Sequence, residues 1–255
     1  MGANAQVMSK RQDIDFILNE WPFDPHKINV RRVNLPERTV LQLRLDMGLL
    51  QLEVESRPDG QRPHDADSYF DYLKAQESEL GSDFKLSDTD CNEVDREFVQ
   101  FYHRRICWLH LHEFDNAVRD ADHTLGLMDF CKLHSSDSDW VLSHEQYRPF
   151  VIYHRTQAAA LAELEKEGED TAERAIEEVN RGLELIQGIF SEYGAAEQFD
   201  DDEIVVHLKE FQESLRNRYQ VGQTLEEKLS DAIDSENYEL AAKLRDELRL
   251  RDDGR

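Results

Sequence analysis

The sequence predicts an α+β fold that is mainly α, with a small antiparallel β-sheet at its N-terminal side, a central helical bundle and a C-terminal helical hairpin. Three observations predict it. Residues 41–54 alternate apolar and polar side chains with a period of two. From Ser87 onward apolar residues recur at helical spacing. Thr224-Leu225-Glu226-Glu227 has the form of a capping box ahead of a further apolar helical stripe. The chain divides accordingly into 1–86, an N-terminal α/β region with a β-hairpin; 87–220, a helical domain; and 221–255, the terminal hairpin.

Composition narrows the function classes. Twelve Phe, eight Tyr and three Trp oppose global disorder. A net charge of -25 repels phosphate backbones and anionic membranes, so neither direct nucleic-acid binding nor a membrane partner is expected. The same charge repels identical copies, so self-association needs a specific contact. Cys91, Cys107 and Cys131 are odd in number and widely spaced, which predicts free thiols in a reducing compartment. The first twenty residues hold no signal-peptide core, and no run reaches membrane-span length. Gln6 breaks the myristoylation pattern that Met1-Gly2 begins. The expected location is cytoplasmic.

Taken in order, residues 1–10 read as frayed and 13–18 as a short helix closed by Trp21-Pro22. Residues 28–33 supply a strand that joins the alternating segment through a turn at Leu35-Pro36-Glu37. Within that segment the apolar parity switches at Met47-Gly48. A hairpin pairing Leu45 with Leu50, Leu43 with Leu52 and Leu41 with Val54 satisfies it, with Gly48 at positive φ. A single long strand bulged at Gly48 is the alternative. Arg57-Pro58-Asp59-Gly60 is a turn by composition; Arg57 and Arg62 would form an anion site only on a second reading. A helix from Ser68, carrying Tyr69, Phe70, Tyr72 and Leu73, is expected to pack on the sheet and to end at Gly81-Ser82-Asp83.

The centre reads as helices. Asp88 or Asp90 caps one whose apolar face holds Val94, Phe98, Phe101, Tyr102, Ile106 and Leu109. A second opens at Glu113, Asp137-Ser138-Asp139 falls in a loop, and Pro149 suits a first turn. Helices over 152–165, 172–190 and 204–215 follow, with a break at Gly168-Glu169-Asp170. Asp200-Asp201-Asp202-Glu203 caps the last of these or attracts a cation. Tyr102, Phe114, Ala117 and Leu125 resemble one tetratricopeptide-like helix pair, and Tyr153, Ala158, Ala175 and Leu183 a second. Ala117 and Ala175 are spaced wider than the usual period of about 34 residues, so an ordinary helical bundle stands beside that resemblance.

The terminal segment is the most specific. Leu225, Leu229, Ala232 and Ile233 share a helical face, Ser235-Glu236-Asn237 turns the chain, and Tyr238, Ala241, Ala242, Leu244 and Leu248 return along it. Tyr238, Glu239, Ala241, Ala242, Arg245 and Asp246 meet the aromatic-Glu-x-Ala-Ala-x-x-Arg-Asp core of the UVR motif, which this segment resembles; Tyr238 stands where phenylalanine is commoner. The motif occurs in the excision-repair subunits UvrB and UvrC, in activators of bacterial protein arginine kinases and in some Clp-family ATPases. The resemblance implies a protein–protein contact with another protein carrying a UVR-type hairpin or with a self-copy. Leu225, Leu229, Ile233, Tyr238, Ala241, Ala242, Arg245, Asp246 and Leu248 would make that contact. Docking inside the chain, against 204–215, is the alternative. Residues 41–54, 57–60, Arg62-Pro63-His64, Arg119-Asp120 and Tyr147-Arg148-Pro149 also resemble planctomycete-type proteins containing the UvrB/UvrC motif. That likeness implies no activity.

Chemistry is sparse. His103, Cys107 and His110 at helical spacing, with Cys131-x-x-His134, could supply zinc ligands in principle, but they share a face with apolar core positions and match no standard finger. No phosphate-binding loop and no nucleophile elbow is present in the sequence. The expectation is a non-enzymatic adaptor without cofactor or metal, with a recruitment factor in nucleotide excision repair or a regulator of a Clp protease or protein kinase as alternatives.

Overall fold

A computed structural model describes residues 13–253; the segment expected to fray, 1–10, lies outside the described residues. After the short helix α1 (Asp15–Glu20), strands β1 (Asn29–Asn34), β2 (Thr39–Leu45) and β3 (Gly48–Glu53) form an antiparallel sheet in that order. The hairpin reading holds, with a different register. Leu45 pairs with Gly48, Leu43 with Leu50 and Leu41 with Leu52, and the chain reverses at Asp46-Met47. Gly48 opens β3 without a positive φ. The tighter turn extends the backbone ladder, and a shift of two leaves every side chain on its expected face. Leu41, Leu43 and Leu52 accordingly share one buried cluster.

The opposite face is less wet than alternation implies, because Gln42 and Arg44 are buried too. Arg44 donates to the carbonyls of Trp21 at 3.2 Å and of Asp46 and Gly48 at 3.0 Å. Gln42 lies between Arg31, whose Nε donates to it at 2.9 Å, and Gln51, which accepts at 3.2 Å. The loop after α1 thus covers the second face, with the Trp21 ring 4.3 Å from the Arg31 guanidinium.

Helix α2 (Tyr69–Leu80), capped by Ser68, does not pack mainly on the sheet. Tyr69 and Leu73 enter a cluster with Val94 and Phe98 of α3 (Asp88–His110) and Leu127 and Phe130 of α4 (Phe114–His134). The cause is a buried carboxylate. Glu97 of α3 accepts from the backbone amides of Tyr69 at 2.7 Å and Phe70 at 3.0 Å, donors that a helix start leaves open.

Ser87, not Asp88 or Asp90, caps α3, and Asp90 completes the capping box from the third position. The loop expected at Asp137-Ser138-Asp139 instead starts α5 (Ser138–Glu145), because Asp137 accepts from the amides of Asp139 and Trp140. Helices α6 (Arg148–Glu165), with Pro149 in its first turn, α7 (Thr171–Glu192) and α8 (Glu203–Tyr219), capped by Asp202, follow as read. The packing is sequential: α3 on α4, α4 on α6, α6 on α7, α7 on α8. The sheet joins this stack through Leu41, Leu43 and Leu52, which meet Trp108, Phe114, Ala117 and Ala158.

The buried face of α3 is rotated from the apolar reading. Val94, Phe98 and Phe101 are inside, but Tyr102 is exposed, Ile106 and Leu109 are half-buried, and Glu97, Arg104 and Arg105 are buried with them. Arg104 grips both oxygens of Asp120 on α4 at 2.7 and 2.8 Å and donates to the carbonyls of Glu53 and Ser56 at 3.1 and 2.7 Å. Trp108 Nε1 adds a bond to Asp120 at 3.1 Å. One guanidinium therefore ties two helices to the end of β3. Asp120→Ala strands that buried cation, and urea unfolding is expected to show a loss of about 3–5 kcal/mol.

A second constraint fixes α6 against α7. A Cβ on Gly182 would fall 2.1 Å from Thr156 Oγ1, 2.5 Å from its Cγ2 and 2.8 Å from its Cβ. Thr156 is buried and has no room to swing away. Alanine raises helix propensity at such a site by about 1 kcal/mol, but overpacking costs about 1–3 kcal/mol. Gly182→Ala is expected to lower the urea midpoint, and Thr156→Ala in the same chain to recover part of the loss.

Candidate protein interface at the terminal hairpin

Helices α9 (Leu225–Asp234) and α10 (Tyr238–Asp253) pack against each other across a turn at Ser235, Glu236 and Asn237, with Glu236 at φ 56°. The capping box forms: Thr224 accepts from the Glu227 amide at 3.2 Å, and Glu227 accepts from the Thr224 amide at 2.9 Å. Ala232, Ala241 and Leu244 close the seam with Leu225 and Leu229 beside them, all five from the hairpin itself. Two helices this short are marginal alone, so what else they touch decides their stability.

The body holds the open end of the hairpin by polar contacts. Glu173 of α7 accepts from the Leu225 amide at 2.6 Å. Glu227 receives Asn180 of α7 at 2.9 Å and is also bound by Arg216 of α8. Arg251, near the end of α10, reaches both oxygens of Glu177 at 3.0 and 2.9 Å. Arg181 stands 3.5 Å from Glu226. Burial raises the Glu177 carboxyl above its usual range, with Arg251 opposing. Burial pushes Glu227 the same way, but the Thr224 amide, Asn180 and Arg216 outweigh it and hold that carboxyl below the usual range. The chief support is thus α7; of the 204–215 helix expected as an internal dock, it is the extension carrying Arg216 that contributes to this grip.

The nine residues read from sequence divide between inside and outside. Leu225, Leu229 and Ala241 belong to the seam, and Ala242 and Leu248 are half-buried. Ile233 does not join the apolar face assigned to it and is 51% exposed; Tyr238 is 68% exposed. Arg245 and Asp246 are exposed and lie 3.8 Å apart. Leu240, which the sequence reading did not single out, is also exposed, at 44%. Ile233, Tyr238 and Leu240, on either side of the turn and away from the pinned base, are thus each exposed to solvent. Between hairpin and body runs a cleft of about 670 Å³ lined by Asn180, Glu184, Lys209, Arg216, Glu227 and Asp231.

Other sequence candidates are scattered. Arg57 turns inward to Glu93 at 2.9 Å and Gln100 at 3.1 Å, whereas Arg62 pairs with Asp67 at 2.8 Å on the surface. Cys107 lies in the core under the sheet and Cys131 in the α2–α4 core; burial pushes the Cys107 thiol up to about 12 and Cys131 higher still. Among the described residues no group of three or more His, Cys, Asp or Glu is placed to hold a metal ion, and no helix is long and apolar enough to cross a membrane.

The family model described as UVR, the UvrB/uvrC motif, matches residues 223–250, the segment that forms α9, its turn and most of α10. No curated protein and no solved structure matches the chain. Combining Arg251→Met with Glu227→Gln weakens two of the grips on the hairpin. Amide exchange across 225–250 is then expected to quicken at least about tenfold while α3, α4 and α6 keep their protection.

Proposed function

We propose that this chain is a non-enzymatic protein–protein interaction adaptor that acts in the cytoplasm through its UVR hairpin. The observation that carries the reading is the exposure of the apolar residues Ile233, Tyr238 and Leu240 beside the turn of a hairpin whose other end is clamped to α7. Exposed apolar side chains on a small, otherwise charged module gain by burial against a second polypeptide. The partner is another UVR-type hairpin or a second copy, because a hairpin of the same kind offers apolar side chains at the matching positions. Arg245 and Asp246, exposed on α10, border the contact and supply ion pairs at its rim. The net charge of -25 argues against direct nucleic-acid binding.

Two finer readings accompany this one. The match to the UvrB/uvrC motif accords with recruitment of excision-repair proteins and equally with regulation of a Clp protease or protein kinase, since the motif occurs in all three. The sequential stack from α3 to α8 accords with a tetratricopeptide-like scaffold that carries the hairpin.

Ile233→Asp with Tyr238→Asp changes exposed side chains alone. Sedimentation velocity and pull-down against purified UVR-bearing proteins from the native cell are expected to show binding weakened about tenfold or more, with Tm unchanged. Binding equal to that of the unaltered chain would overturn the adaptor reading.

A further inference from the structure

Away from the hairpin, α3, α4, α5 and α6 enclose a cavity of about 450 Å³ whose walls are mainly apolar. Phe98, Tyr102, Met128, Phe150 and Val151 line it, and Arg105 stands among them. Arg105 is 1% exposed. Its Nη1 donates to Thr124 Oγ1 at 3.1 Å, but its Nε has no acceptor, and among the described residues no carboxylate pairs with it. Asp120 acts on it electrostatically, yet both Asp120 oxygens are engaged by Arg104 and Trp108. The other acid at this cavity, Asp95, accepts from Trp140 Nε1 at 2.9 Å and lies 2.8 Å from His144 Nε2. His154, beneath Phe150, supplies no negative charge; burial and Arg105 lower it to about 4.

A buried guanidinium with an open donor is costly, because desolvation is not offset by an ion pair. The arrangement becomes favourable when an anion arrives. Burial lowers Arg105 to about 10, so it remains a cation at neutral pH. The geometry points to a binding site for a small monocarboxylate with an apolar or aromatic body, its carboxylate on Arg105 and its body against Phe98, Met128 and Phe150. The volume falls in the range of small-molecule sites. A single charge is required. The chain's charge of -25 repels polyanions and acidic peptides, while one carboxylate exchanges that repulsion for a desolvated, charge-assisted bond.

The test is calorimetric titration of the full chain with octanoate and indole-3-acetate, each beside its primary amide, and with N-acetyl-Leu-Phe-amide, a peptide that carries no carboxylate. The proposal expects at least one free acid to bind with Kd below about 1 mM and its amide about tenfold or more weaker. Arg105→Met is expected to keep or raise Tm, since a packed apolar side chain replaces an unpaired buried charge, and to lose the preference for acid over amide. Ser143→Trp, which narrows the cavity from an exposed position and leaves Arg105 in place, is expected to weaken both ligands. Should Arg105→Met fail to fold, the acid–amide contrast and Ser143→Trp still decide. Equal binding of acid and amide, binding of the acetylated dipeptide with neither free acid, or no binding at all would each overturn the proposal.

Discussion

Helix α3 is organised by charge that it cannot expose. Arg104 sits in the interior with all its reach committed: two bonds to Asp120, one to the last residue of β3 and one to the loop after it. About two turns earlier, Glu97 accepts the first amides of α2 and stands 2.9 Å from His123 Nε2 on α4. Sheet, α2 and α4 therefore meet α3 through directional bonds in a low-dielectric interior, where geometry is enforced more strictly than by apolar contact. The apolar clusters fill the space around this frame. Arg57, turned inward to Glu93 and Gln100, extends it to the loop after β3.

That frame explains what the sequence concealed. Periodicity finds helices because apolar residues recur, and it placed α3, α4, α6, α7 and α8 well. It assigns charged residues to solvent by default, so it gives no notice of Glu97, Arg104 and Arg105, which are buried. Pairwise partners sixteen to fifty-one residues apart leave no periodic trace. Caps were harder for a related reason: Ser87, Asp88 and Asp90 are all acceptable, and only coordinates show which oxygen faces the open amides. The strand register failed by two because alternation fixes faces, not loop length.

At the hairpin, sequence was informative to a different degree. The capping box, the turn and the alanine seam were all legible, since each is encoded within about thirty consecutive residues. The division of its apolar residues between seam and solvent was not. Ile233 shares a nominal face with Leu229 and Ala232, but lies at the end of α9 beside the turn and is half exposed. The grip on the body was invisible as well, because Glu173, Glu177 and Asn180 are ordinary surface residues of a helix until Leu225, Arg251 and Glu227 are laid against them.

The close passage at Gly182 has a mechanical meaning for that grip. Glu173, Glu177, Asn180 and Arg181 lie within the ten residues of α7 that end at Gly182, and there the α7 backbone rests on Thr156 with no side chain of its own between. Soft side chains usually act as a cushion between helices. Here the cushion is missing, so α6 and α7 form a stiff beam, and the angle at which the hairpin projects has little play relative to the stack behind it.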